Sequence, residues 1–202
     1  MRIKSALSAI ALLLCLNAAA ELNENKHVET WTQYAPAVVD LALPLTGVQS
    51  NVCFGDRAVK MTTAYIFQAS INAILKSTVD EVRPDGRAHN SFPSGHTGTA
   101  FVGAELVRQD YGWGWGAGAY AVATFTGTMR VVHNRHWWWD AAAGAALGIG
   151  SSLAAEALLP YLHEWIVEPI GSLFGKGGGN VAILPQYDCI SGATLPCIAI
   201  RF

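Results

Sequence analysis

Three short patterns stand in order along this 202-residue chain. Lys76 precedes Arg83-Pro84, then comes Pro93-Ser94-Gly95-His96-Thr97, then Arg130 followed by His136 and Asp140. Ser94 occupies a helix-start position, where its side chain can cap the helix. The backbone N–H groups of Gly95, His96 and Thr97 behind it suit an anion. Gly95 lets that backbone come close, and His96 at the mouth can give or take a proton near neutral pH. His136 and Asp140 are four residues apart, hence on one face of a helix. The carboxylate can take a hydrogen bond from one ring nitrogen, fix the tautomer and leave the other nitrogen as a nucleophile. Lys76, Arg83 and Arg130 add three cations, and guanidinium forks match phosphate oxygens bidentately. Taken singly, each pattern has a plainer reading: a solvated charged face, an ordinary helix cap, a helix-surface pair. Taken together in this order, they hold the cations and both imidazoles that one phosphoryl site requires.

The surrounding segments are predicted to be helices. Apolar stretches rich in Ala, Leu and small residues run over about 34–48, 59–76, 95–109, 113–130 and 137–160, with few strand-like alternations. Tyr111-Gly112-Trp113-Gly114 breaks two of them, and Pro160 follows the last. The fold class expected is all-α, a helical bundle with a short β-like C-terminal tail. Val181–Leu184 and Ile198–Phe202 read as its strands, and Cys189 with Cys197 as the preferred disulfide, Cys53 lying outside that pair. Gly175-Lys176-Gly177 fails as a phosphate loop, because no Ser or Thr follows the lysine.

Hydrophobic residues make up 51% of the chain and charged ones 14%, which fits a tightly packed or membrane-associated helical protein. Residues 1–20 have a basic start, an apolar run over Ala6–Leu16 and Ala18-Ala19-Ala20 before Glu21. That is the layout of a signal peptide, so an exported protein of the periplasm or cell envelope is expected. Without those residues, 11 basic side chains face 15 acidic ones, which disfavours nucleic acid as a partner. Eight of the 11 lie between Arg57 and Arg135, as an anion site would require. The helix after Pro93 carries Glu105, Arg108 and Asp110, too many charges to span a bilayer. A globular bundle resting on a membrane surface is therefore favoured over a multi-spanning one. Trp137-Trp138-Trp139 could face lipid or pack as core. His133 stands three residues before His136 without an evident third ligand, so no metal is expected. His89 is a candidate substrate contact, and His27 and His163 read as surface residues.

The ordered patterns resemble the type 2 phosphatidic acid phosphatase superfamily, directly over Lys76–Asp140 and more loosely to about residue 160. That group includes lipid phosphate phosphatases, class A acid phosphatases and vanadium haloperoxidases. The resemblance implies phosphate contacts from Lys76, Arg83, Ser94, Gly95 and Arg130. It implies His96 as leaving-group acid, His136 as the nucleophile that becomes phosphohistidine, and Asp140 as its orienter, with no cofactor. Met129 stands where the family usually has Ser, and the stretch between Pro84 and Pro93 leaves little room for a substrate-covering loop. The implied domains are a signal peptide at 1–20, a loose polar segment at 21–33, a helical phosphatase domain at 34–168, and a glycine-rich linker with a tail at 169–202. The implied substrate is a phosphorylated lipid or a small phosphate ester. A vanadate haloperoxidase and an inactive anion-binding envelope protein are the alternatives.

Overall fold

The computed structural model describes residues 28–167, 181–187 and 194–200. The helices are α1 (Val28–Thr32), α2 (Ala35–Ala42), α3 (Phe54–Thr78), α4 (Gly95–Tyr111), α5 (Trp113–Val132) and α6 (Trp138–Leu162). A 3-10 turn, Leu43–Thr46, extends α2 and stops at Gly47, whose φ of 80° is left-handed. A π turn, His163–Val167, extends α6. Strands β1 (Val181–Tyr187) and β2 (Thr194–Ile200) pair antiparallel, with Val181 opposite Ile200 and Tyr187 opposite Thr194. The expected β-like tail is present and longer than the sequence suggested. Cys189 and His27 lie outside the described residues, and with Cys189 the expected disulfide.

Helix α4 is the axis of the bundle. Ala100, Val102, Ala104, Leu106 and Val107 are all fully buried, which explains why this helix lacks a polar face. Gly112 is the single residue between α4 and α5; its N–H donates to Arg108 O and its carbonyl accepts from Gly116 N. The two helices fold back on each other there, and Ala119 and Ala123 of α5 pack on Ala100, Ala104 and Val107. Helix α6 runs parallel to α4 at close range. A Cβ on Gly144 would lie 2.4 Å from Ser94 O, and one on Gly148 would lie 2.4 Å from Gly98 O. The small residues therefore set the distance between the two backbones. On another side of α4, α3 runs antiparallel to it, joined through Ala64, Met61 and Tyr65 to Val102 and Leu106.

Two expectations fail in this architecture. Part of the loose polar segment is helix α1, and its Glu29 is only 1% exposed. His163 is buried, paired through Nδ1 with Asp56, where a surface position was expected. Both residues are polar and both have charged partners distant in sequence, a relation that apolar periodicity does not report. The start of α3 shifts for the same reason: Asp56, Arg57 and Lys60 look like a polar lead-in yet are buried in ion pairs. Among the described residues one helix, α6, is long and apolar enough to cross a membrane.

Candidate active site

The site forms where the C-terminal end of α3, the N-terminal end of α4, the α5–α6 turn and α1 meet. Lys76 lies in the last turn of α3, and its Nζ donates to Asn90 O at 2.7 Å. The loop between α3 and α4 carries Arg83. A tight turn, with Gly86 at φ 67° and its N–H donating to Arg83 O, fixes that residue. Trp137 Nε1 donates to Val82 O at 2.9 Å and Trp139 Nε1 to Glu81 at 2.7 Å. The loop is thereby pinned to the start of α6.

Ser94 caps α4 as expected, its Oγ accepting from the Thr97 N–H at 3.5 Å and the Thr97 hydroxyl at 2.9 Å. Its own N–H donates to Asp140 O at 3.0 Å, tying the start of α4 to that of α6. Gly95 packs on the side chain of Asn72, with 3.5 Å between its ideal Cβ position and Asn72 Oδ1. His96, half-buried on the first turn of α4, has its pKa lowered to about 4, first by burial, then by Arg130, against which Glu29 works, and by Arg83 and Lys76.

Arg130 and His136 are brought together by the turn that ends α5. Asn134 takes a left-handed φ of 54°, and the N–H groups of both Arg135 and His136 donate to Arg130 O; asparagine tolerates that conformation. The His136 ring then sits 3.4 Å from Arg130 through Nε2 and 2.8 Å from the Ser91 carbonyl through Nδ1. A guanidinium can only donate and a carbonyl can only accept. The ring is therefore neutral with its proton on Nδ1 and its lone pair on Nε2. Burial first, then Arg130, Lys76 and Arg83, lower its pKa to about 4, with Asp140 opposing.

Asp140 was expected to accept the ring's hydrogen bond directly. Its Oδ2 lies 3.5 Å from His136 Nδ1, and the Ser91 carbonyl is the nearer acceptor. The same oxygen accepts from the Ser91 hydroxyl and, at 2.9 Å, from the Trp137 N–H. Asp140 thus fixes the Ser91 segment that holds the ring. Lys76 has its pKa lowered to about 8, by burial and then by Arg83, and with a smaller contribution from Arg130. Lys76, Arg83 and Arg130 act electrostatically on both imidazoles, so these cations, His96 and His136 are brought to one end of the bundle, and Ser94 N–H on Asp140 O ties the start of α4 to the same place. His89 is exposed and pairs with Asp80 at 2.9 Å.

Sequence reasoning missed three participants. Ser91 holds His136 with its main chain, which no residue type reveals. Asn72 precedes Lys76 by one helical turn, a spacing that could have flagged it; it is buried and its Nδ2 has no partner among the described residues. Glu29 accepts from Arg130 Nη1 at 3.2 Å. Among the described residues, no three His, Cys, Asp or Glu side chains are grouped to hold a metal ion.

A family model described as the PAP2 superfamily matches residues 57–164, just over half of the chain. The chain belongs to the PAP2 superfamily. The resemblance drawn from the three patterns is thereby confirmed, and all eight expected site residues lie inside the matched segment. A 78-residue stretch, 37% of this chain and 17% of the relative, is 50% identical to a Lipid A 1-phosphatase of Porphyromonas gingivalis. The chain thus matches only a small part of that relative's length. The crystal structure of Aquifex aeolicus LpxE superposes with a TM-score of 0.52 at 18% identity, covering 70% of this chain and 94% of that one. This likeness establishes the shared PAP2 helical fold. Glu29 precedes the family-matched segment.

Proposed function

We propose that this PAP2 protein is a phosphatase that removes phosphate from a phosphorylated lipid at the cell envelope, through a phosphohistidine on His136 and without a metal. The observation that carries this reading is the unprotonated Nε2 of His136 beside Arg130, with Lys76 and Arg83 acting on the same ring. Nε2 attacks phosphorus as the bond to the leaving oxygen breaks, and His96 donates a proton to that oxygen. Water then attacks the phosphohistidine, giving its proton to His96, and phosphate leaves with His136 restored. Lys76, Arg83 and Arg130 neutralise the equatorial oxygens throughout. In the free enzyme the low pKa of His96, about 4, leaves it neutral at pH 7. A bound phosphate offsets the cations that contribute to the shift, raises the pKa and so equips His96 with its proton.

A lipid substrate is supported by the exposed Trp138 beside the stacked Trp137 and Trp139, next to the nucleophile, and by the local identity to the lipid A phosphatase. The signal-like residues 1–20 support export.

His136→Ala is expected to fold normally, by circular dichroism, and to lose about 10⁴-fold or more of kcat. An acid-labile phosphoenzyme should be trapped with the wild type and absent from the variant. Wild-type turnover by His136→Ala would remove the nucleophile. Activity should survive EDTA; a loss restored by a divalent ion would overturn the metal-free step. Faster hydrolysis of a water-soluble phosphomonoester than of a lipid phosphate in mixed micelles would move the substrate to the soluble class.

A further inference from the structure

Glu29 is the acidic residue of the site that neither the three patterns nor the PAP2-matched segment contains. Its Oε1 accepts from Arg130 Nη1 at 3.2 Å, and its Oε2 stands 3.3 Å from His133 Nδ1. The other terminal nitrogen of Arg130, Nη2, faces His136 Nε2 at 3.4 Å. The guanidinium is therefore held at both ends, by the carboxylate of α1 on one side and by the ring on the other. Arg130 Nε has no partner among the described residues. A carboxylate buried this deeply adds little net stability to its ion pair, because both groups lose hydration. What it does supply is a fixed direction for the fork, and small displacements of such groups are costly to a transition state.

We infer that Glu29 is a positioning residue for the proposed phosphoryl transfer, holding Arg130 so that its remaining N–H groups meet the transferring phosphoryl oxygens while its charge offsets part of the cationic field on His96. This inference rests on the phosphatase reading. The charged groups facing His96 are Lys76 from α3, Arg83 from the following loop, Arg130 from α5 and Glu29 from α1. Glu29 is the only one of these four that favours the protonated ring, as a general acid requires.

Glu29→Gln keeps the shape and an acceptor for Arg130 but removes the charge. At unchanged thermal stability, kcat is expected to fall roughly 10- to 100-fold. The dissociation constant of inorganic phosphate, measured by calorimetry, should stay level or drop, since a negative charge has left an anion site. The alkaline limb of kcat/KM should move to lower pH, because the ring loses its one supporting carboxylate. Glu29→Asp, with charge kept and reach shortened, should retain the wild-type limb while kcat falls. Wild-type kcat and limb in Glu29→Gln would overturn the inference. So would a loss of phosphate affinity as large as the loss of kcat, which marks general damage to the site. A wild-type protein that binds inorganic phosphate yet cleaves no phosphate ester would instead sink the phosphatase reading, and the phosphate-affinity comparison would still judge Glu29.

Discussion

The antiparallel helices α3 and α4 bury charge at both of their ends, and the two ends are built differently. At one end Lys60 pairs with Asp110, Arg57 Nε donates to Asp110 Oδ2 at 3.2 Å, and His163 pairs with Asp56. Two permanent cations, Arg57 and Lys60, and the imidazole of His163 there face three carboxylates, those of Asp40, Asp56 and Asp110. The surplus is of acceptors: neither oxygen of Asp40 has a hydrogen-bond partner among the described residues. At the other end three cations, Lys76, Arg83 and Arg130, face two carboxylates, Glu29 and Asp140; Arg83 Nε and Arg130 Nε have no hydrogen-bond partner among the described residues, nor do Glu29 Oε2 and Asp140 Oδ1, so the surplus there is of positive charge. Burial is shared, so burial alone does not mark function. The sign of the imbalance does: an excess of cations, Arg130 buried and Lys76 and Arg83 partly so, suits a doubly charged anion, whereas the other end settles its surplus by taking up a proton.

The largest test of this contrast is Asp110→Asn. It leaves Lys60 and Arg57 without a full countercharge, and a loss of about 3–5 kcal/mol in unfolding free energy is expected, measured by urea titration. The kcat per folded molecule should stay at the wild-type value; a collapse of turnover would show that the two ends are not separable. Next, Arg83→Gln should lower kcat by about 10²- to 10³-fold with little change in stability. Loss of this cation raises the pKa of His96 in the free enzyme, so the alkaline limb of kcat/KM should move to higher pH, opposite to the shift expected for Glu29→Gln. The smallest effect concerns Asp40. Burial first, then Asp110, raise its pKa to about 7 from an ordinary value of 3.8, against Arg57 and Lys60. The folded state thus binds a proton that the unfolded chain has released, and this contribution to stability declines as pH rises from about 4 to about 7, at up to ~1.4 kcal/mol per pH unit. In Asp40→Asn that slope should vanish, so the difference in stability between variant and wild type should shift in favour of the variant across this window. An unchanged slope would mean that Asp40 is already ionised and paired.

Much of the site was legible because its chemistry restricts residue type. Only arginine and lysine offer fixed cations, only histidine titrates near neutrality, and the Ser94 cap follows from local chain geometry. The helices were legible as well, since α4, α5 and α6 are apolar enough to reveal themselves. The start of α3 was misread because Asp56, Arg57 and Lys60 gain burial from partners 50 or more residues away, which local polarity does not encode.

The residue types and their order along the chain determined the family, the helical class and which side chains are proposed to face the anion. The tertiary structure alone decided how those groups are held. It gave the ring proton of His136 to the carbonyl of Ser91, assigned Asp140 to that segment, and brought Glu29 across 101 residues onto Arg130. Main-chain acceptors look the same at every position in a sequence, and a buried carboxylate is recognised only from the cation it meets.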